Sequence, residues 1–326
     1  MNSALLRVRS VIATLWCIGL FAPLAASAAN YPDKPVKIVV PFAAAGAADI
    51  LARAVANMLT VKLGQSFIVE NRAGASGNIG AQRVAQAVPD GYTLLFTTTN
   101  LTMNPAMGTD LPYDAVKDFS PVTMVAFAPM ILVKSPSVKA ATASELVAEI
   151  RAHPAKYNFS SSGVGGAPHM AGELFRLKED LKVVHVPYAG AAPALNDVSS
   201  GQVQYSFTTF VSAQAFLQGD RVVPLAVTSD KRLSSLPQVP TFDEVGIKGM
   251  AIGTMFGLLA PANTPPEVVQ ALYRTLSEAG ATPEFQKQIR ELGAEMVLDT
   301  PVEYAAYIAA DVQKWKELLS KIGKIE

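Results

Sequence analysis

From residue 36 onward the chain alternates short apolar runs with longer stretches whose apolar residues recur at helical spacing, and this alternation limits the possible folds more than any other feature. Residues 36–41 read as a buried strand. Ile50, Leu51, Ala54, Val55, Met58 and Leu59 mark one face of a helix that Gly64 stops. A strand over 66–70, a helix over 79–87, a turn at Asp90-Gly91 and a strand over 93–97 complete the first round. The pattern then restarts, with strands over 130–133, 157–160, 182–186, 202–207 and 222–228 and helices over 143–151, 168–177 and 191–199. An apolar strand at 256–260 precedes three helices opened by proline, at Pro265-Pro266, Pro283 and Pro301. Repeated βαβ units of this kind predict an α/β protein built on parallel sheet.

Covering such sheets needs apolar residues, and half of the 326 residues are hydrophobic while 17% are charged. That balance excludes disorder. A chain of this length exceeds what one core usually serves, so two domains are expected. The 27 Lys and Arg are matched by 27 Asp and Glu, which leaves no basic footprint for nucleic acid. A single cysteine permits neither an intrachain disulfide nor a thiolate zinc cage. No cofactor and no metal are expected.

Residues 1–28 stand outside the pattern. Arg7 and Arg9 precede an apolar run over 11–22, and Ala26-Ser27-Ala28 follows. A basic start, a short apolar stretch and small residues at positions minus three and minus one make a secretory signal, with cleavage expected after Ala28. The run falls well short of the roughly 20 residues that span a bilayer. Trp16 before Cys17 does not suit lipidation. Cleavage would remove Cys17 and leave a cysteine-free, slightly acidic protein, which fits an oxidising compartment. With no disulfide to protect it, a periplasm is the expected location.

Three loops join a strand to a helix and consist mostly of small residues: 41–49, 71–78 and 160–169. In open α/β sheets ligands bind outside the carboxyl ends of the strands, where these loops fall. Small side chains let a ligand reach backbone N–H groups, and a helix start favours a carboxylate or phosphate through its unpaired donors and dipole. Glycine and serine at a helix start also serve as plain turns and caps, so it is the occurrence of three such loops that points to an anion cradle. A dinucleotide site is a poorer explanation, because Gly163-Val164-Gly165 lacks the full glycine spacing and no acid follows at the ribose position.

Catalytic signatures are scarce: the chain has no HExxH, no GxSxG and no histidines grouped with carboxylates at metal spacing. His153 beside Pro154 reads as solvated and His185, in an apolar strand, as a core residue. Only His169, opening a helix in the third loop, is placed for a ligand.

At these residues the chain resembles the Bug family, the periplasmic solute receptors associated with tripartite tricarboxylate transporters. Tyr31-Pro32-Asp33-Lys34-Pro35 into Val39-Val40-Pro41-Phe42 resembles the family's opening, with Asp49 and Arg53 in their usual places. Asn71-Arg72, Gly74 and Gly77-Asn78-Ile79-Gly80 match its second motif. Pro89 to Leu95, Leu111 to Asp114, Lys117 to Phe119, His169 to Phe175, His185 to Tyr188, Pro193-Ala194, Ala226 to Ser229 and Phe256 to Pro261 continue the match in order through the whole mature chain.

The resemblance implies a type II periplasmic binding protein: two α/β lobes with a ligand cleft between them, joined by crossing strands near 128–133 and 254–260. Lobe one would combine 29–129 with 254–326, and lobe two would be 130–253. It further implies a monomer that binds a small carboxylated solute and delivers it to membrane transporter components, with no catalytic role. The site residues carried over are Phe42, Ala45 and Gly46 from the first loop, Ser76, Gly77 and Asn78 from the second, and Ser161, Ser162 and His169 from the third. Thr98, Tyr188 and Thr208 are further wall candidates.

The chain departs from the family pattern at several of these points. Ala45, Ala47 and Ala48 surround Gly46 where the family is richer in glycine, Ala189 replaces a common lysine, Thr208-Thr209 replaces a frequent Asp-Asn pair, and Met255 stands where tryptophan is frequent. The far end of the pocket is therefore expected to be uncharged, and neither amino-acid nor tricarboxylate specificity transfers. Two other readings compete: a secreted hydrolase using Ser161 with His169, and a solute sensor acting through a partner protein.

Overall fold

The computed structural model describes residues 31–42, 44, 46–108, 110–188 and 190–322; the signal segment, Ala45 and Ala189 lie outside the described residues. The β-branched run Val36–Val40 forms β1, buried at four of its five positions. It leads into α1 (Ala47–Leu63), whose Leu51, Val55 and Leu59 share one face and are buried. Gly64 ends that helix at φ 71, and its N–H closes on the Thr60 carbonyl. β2 (Phe67–Asn71), α2 (Asn78–Ala85) and β3 (Thr93–Thr98) follow, with β1 parallel to both β2 and β3. The single turn α3 (Asn100–Met103) closes this half of the βα pattern.

β4 (Phe119–Lys134) is then the structural pivot. Next come α4 (Ala143–Ala152), β5 (Asn158–Ser161), α5 (Ala167–Lys178), β6 (Val184–Pro187), α6 (Ala191–Ser200), β7 (Tyr205–Thr209), α7 (Phe210–Gln218) and β8 (Val223–Val227). β5 runs parallel to β6 and β7. β9 (Gly253–Pro261), α8 (Pro266–Gly280), α9 (Pro283–Glu291), the two-residue β10 (Glu295–Met296) and α10 (Pro301–Ile322) complete the chain.

The strand order is β2-β1-β3-β9-β4-β7-β5-β6, with β8 and β10 also on β4. The βαβ units are parallel as expected, but every pairing of β4 and β9 with the rest is antiparallel, so the sheet is mixed. β4 changes partners along its length: Phe119 to Pro129 pair with β9, and Met130 to Lys134 pair with β7 and β8. Pro129 has no N–H to give a ladder and sits where the switch occurs. The strand pattern locates only residues 130–133 of β4, because Pro121 and Pro129 break its first two thirds; α7 and β10 are also unheralded.

Two α/β halves thus share β4, and each has its own apolar packing. Val39, Leu95, Met255 and Leu259 gather with Tyr304, Ile308 and Val312 of α10. Phe159, Phe175, Tyr205 and Phe207 gather with Trp315 and Leu319 of the same helix. α10 therefore contributes to both cores. Its fit is close: a methyl at Gly257 of β9 would fall 1.8 Å from the Tyr304 hydroxyl.

Candidate functional site

A cavity of about 410 Å³ lies at the carboxyl ends of β1, β3, β5, β6 and β7 and the start of β9. Phe42, Ser76, Thr98, Asn100 and Phe256 face it from one half, and Ser162, Gly163, Val164, Thr208 and Ser212 from the other. No charged side chain among the described residues lines it. Four helices begin at its wall: α1 at Gly46 to Ala48, α5 at Gly166 to Pro168, α6 at Gly190 and Ala191, and α7 at Thr209. Thr209 caps α7, accepting from the Ser212 N–H. The other three helices have glycine in the capping position and no side-chain cap. The capping residue itself therefore offers no side-chain acceptor to the first turn, and each helix end carries about half a positive charge toward the cavity.

The first two loops are held from beneath by neutral amides and one buried acid. Asn71 donates to the Phe42 carbonyl at 3.1 Å and to Asp49 Oδ1 at 2.9 Å, while Arg53 Nε donates to Asp49 Oδ2 at 3.0 Å. The second loop takes left-handed backbone at Gly74, Ala75, Ser76 and Gly77, with φ from 46 to 138. Such conformations cost L-residues energy and persist only where neighbours hold them. Here Asn100 and Asn104 both donate to the Ser76 carbonyl, at 3.2 and 3.1 Å.

Of the residues singled out from sequence, Phe42, Gly46, Ser76, Thr98, Ser162 and Thr208 face the cavity. The other described ones stand behind it. Gly77 lies under the Phe42 ring, which a Cβ would meet at 3.4 Å. Asn78 Oδ1 accepts from Asn104 and from the Tyr113 hydroxyl. Tyr188 donates to Asp197 at 2.5 Å and packs with the partly buried Val186 and Leu217 on another apolar cluster. Met255 is buried against Tyr304, so its difference from the family pattern does not reach the cavity. Asn100, Gly163, Gly166, Gly190, Ser212 and Thr254 face the cavity unanticipated as individuals. Asn100 could have been suspected from Thr99-Asn100 directly after a predicted strand; Ser212 begins a helix that the pattern did not reveal.

Ser161 and His169 form part of a buried polar cluster behind the third loop. His169 Nδ1 accepts the Gly165 N–H at 3.0 Å, and its ring stacks on His185 with centroids 3.8 Å apart. His185 Nε2 meets Ser161 Oγ at 2.7 Å, and the same hydroxyl contacts the Gly163 N–H and carbonyl. A Ser161–His169 dyad is thus not formed; the serine's partner is His185, and Ser161 is fully buried. His185, expected to be a simple core residue, is half-buried and part of this support. Burial, and then the Arg176 guanidinium, push His169 down to about 4. Burial, and then His169, push His185 down to about 4 against an opposing pull from Glu173. Both rings are therefore neutral near pH 7.

The halves sharing one pivot strand, with a cavity at strand ends between them, define a periplasmic-binding-protein fold of the solute-receptor class. The family described as tripartite tricarboxylate transporter family receptor, TctC, matches residues 51–324, and the chain belongs to it. Protein BugT of Bordetella pertussis is 32% identical over 94% of each chain. Among solved structures, R. palustris Rpa4515 with adipate is 32% identical, covers 90% of this chain and 98% of its own, and superposes with a TM-score of 0.84. MatC from Rhodopseudomonas palustris with bound malate is 29% identical, covers 89% and 99%, and gives 0.79. The chain is a solute receptor of this family.

Proposed function

We propose that this receptor is exported to the periplasm with cleavage after Ala28, and that it captures a small organic carboxylate in the 410 Å³ cavity for transfer to a membrane transporter. The reading rests on one observation above the others: three glycine-capped helix starts open onto a cavity with no charged side chain among the described residues. Oriented backbone donors favour a carboxylate there without a lysine or arginine. Among the described lining residues there is no carboxylate to pair with an ammonium, so amino acids are disfavoured. The adipate and malate held by the two R. palustris relatives support the same class of solute.

Closure would bring 29–129 with 254–326 against 130–253, hinged where β4 changes partners at Pro129. The bridging carboxylate would stabilise the closed population. Phe42, Gly46 and Ser76 would receive one end of the solute, and Ser162 and Thr208 the other. No helix among the described residues is long and apolar enough to cross a membrane. Calorimetric titration of ligand-free protein with adipate, malate and glutamate tests the reading. Binding of either simple diacid, with glutamate much weaker, is the expected result; tighter binding of glutamate would overturn it.

A further inference from the structure

We propose that His169 is a positioning residue of the cleft: stacked on His185, it holds the third loop for the solute through an unprotonated Nδ1, so that a proton taken up by the pair loosens the loop and releases the solute. This rests on the reading of residues 162–168 as part of the solute site.

The argument is geometric. The Gly165 N–H donates to His169 Nδ1 at 3.0 Å, so that nitrogen carries a lone pair and the ring proton of the neutral form sits on Nε2. Nε2 faces Glu173 Oε1 at 3.9 Å. An additional proton on His169 has one place to go, Nδ1, and there it evicts the Gly165 N–H. Loop anchoring and ring charge exclude each other. The consequence reaches the solute directly, because Gly165 adjoins Gly166, the open cap of α5, and Gly163, Val164 and Gly166 all face the cavity.

The neighbours decide how hard protonation is. On α5, Glu173 Oε2 is already held by two Arg176 nitrogens at 2.9 and 2.6 Å, which takes up much of its ability to favour an imidazolium. On β7 the fully buried Tyr205 stacks on the far side of Phe159 and offers no charge. On β6, His185 is the stacked partner, and a charge on either ring opposes one on the other. Its Nε2 reaches Ser161 Oγ, the second anchor of the loop through Gly163. Asp197, the nearest acid on α6 to this strand's end, accepts from Tyr188.

The experiment compares wild type, His169→Asn and His169→Leu. Asn places a carbonyl oxygen near the former Nδ1 but cannot titrate; Leu offers no acceptor. Affinity for adipate and malate is measured by calorimetry from neutral pH down to about pH 3.5, and the Gly165 amide is followed by NMR in ligand-free protein. Protonation of the diacid itself weakens every variant alike, so the ratio between variants isolates the loop. With His169 titrating near 4, the wild type should lose a further factor of about two at pH 4 and about four at pH 3.5 relative to His169→Asn. His169→Leu should bind weakly at every pH, and the wild-type Gly165 amide should shift with the His169 ring. Parallel acid curves for wild type and His169→Asn, or a Gly165 amide indifferent to the ring's titration, would overturn the proposal. Should neither diacid bind at neutral pH, the functional reading for those acids fails, and the Gly165 amide still decides this one.

Discussion

The two walls of the cleft perform one task with different chemistry. On one wall the second loop, strained at Ala75 and Ser76, is fixed by Asn100 and Asn104, whose amides do not change charge at any pH the protein survives. On the other, the third loop is fixed by His169 and, through Ser161, by His185. Both walls present glycine-capped helix starts to the cavity. On the proposed reading, an anion site made of backbone would take its rigidity, and any response to pH, from the side chains that hold its loops.

Four changes would break or sharpen this contrast. The largest effect is expected from filling a cap. Gly46 and Gly166 have extended backbone, φ −82 and −83, that aspartate accommodates. Gly46→Asp or Gly166→Asp should supply the missing acceptor, raise stability by a few tenths of a kcal/mol, and abolish diacid binding by placing a carboxylate where the solute's would sit. Thermal denaturation and calorimetry on the same samples check both halves. Retained affinity in both variants would remove the helix starts from the site.

Next is Gly172→Ala on α5, beneath the histidine pair. Its methyl would fall 2.1 Å from the Phe159 ring, on which His185 leans at 4.9 Å. A loss of about 1–3 kcal/mol is expected from overpacking, read as a lowered urea midpoint with an unchanged slope. Asn104→Ala on the opposite wall should cost about 1 kcal/mol for its lost hydrogen bonds and weaken binding equally at all pH values. A pH-dependent deficit in that variant would erase the distinction between the walls.

The last effect is acid sensitivity below about pH 6.5, which grows as the pH falls. Each histidine is held near 4 in the folded protein against an ordinary value of 6.5, so the unfolded chain binds more protons between those limits. Stability therefore falls as pH drops from about 6.5 to about 4, slightly at first, and levels off below. Urea midpoints across that range should decline less in a His169→Asn, His185→Asn double variant than in wild type.

Much of this was legible in the chain. β1 and α1 followed from a β-branched run and an apolar helical face ended by Gly64, because both are local rules of period and cap. The three small-residue loops marked the cavity's position, since ligands in α/β sheets meet strand ends. β4 was only partly legible: its prolines sit at register shifts and at the partner switch, places where a strand tolerates them, and in sequence they read as interruptions. Ser161 and His169 were assigned to one loop, but the competing hydrolase reading that paired them does not survive, because His169 stacks on His185 and His185 takes the serine, joining residues on α5 and β6 that no spacing rule connects.

By itself the sequence determined the α/β class, the family, and a small-residue surface suited to a carboxylate, since each depends on patterns within a few turns of chain. Only the tertiary structure decided that four helix starts converge on one cavity with no charged side chain among its described lining residues, that α10 packs into both cores, and that a neutral histidine holds Gly165. The physical reason is range. Hydrophobic period and capping act over neighbouring residues, whereas the summed helix dipoles and the protonation state of a buried ring depend on groups brought together from distant parts of the chain.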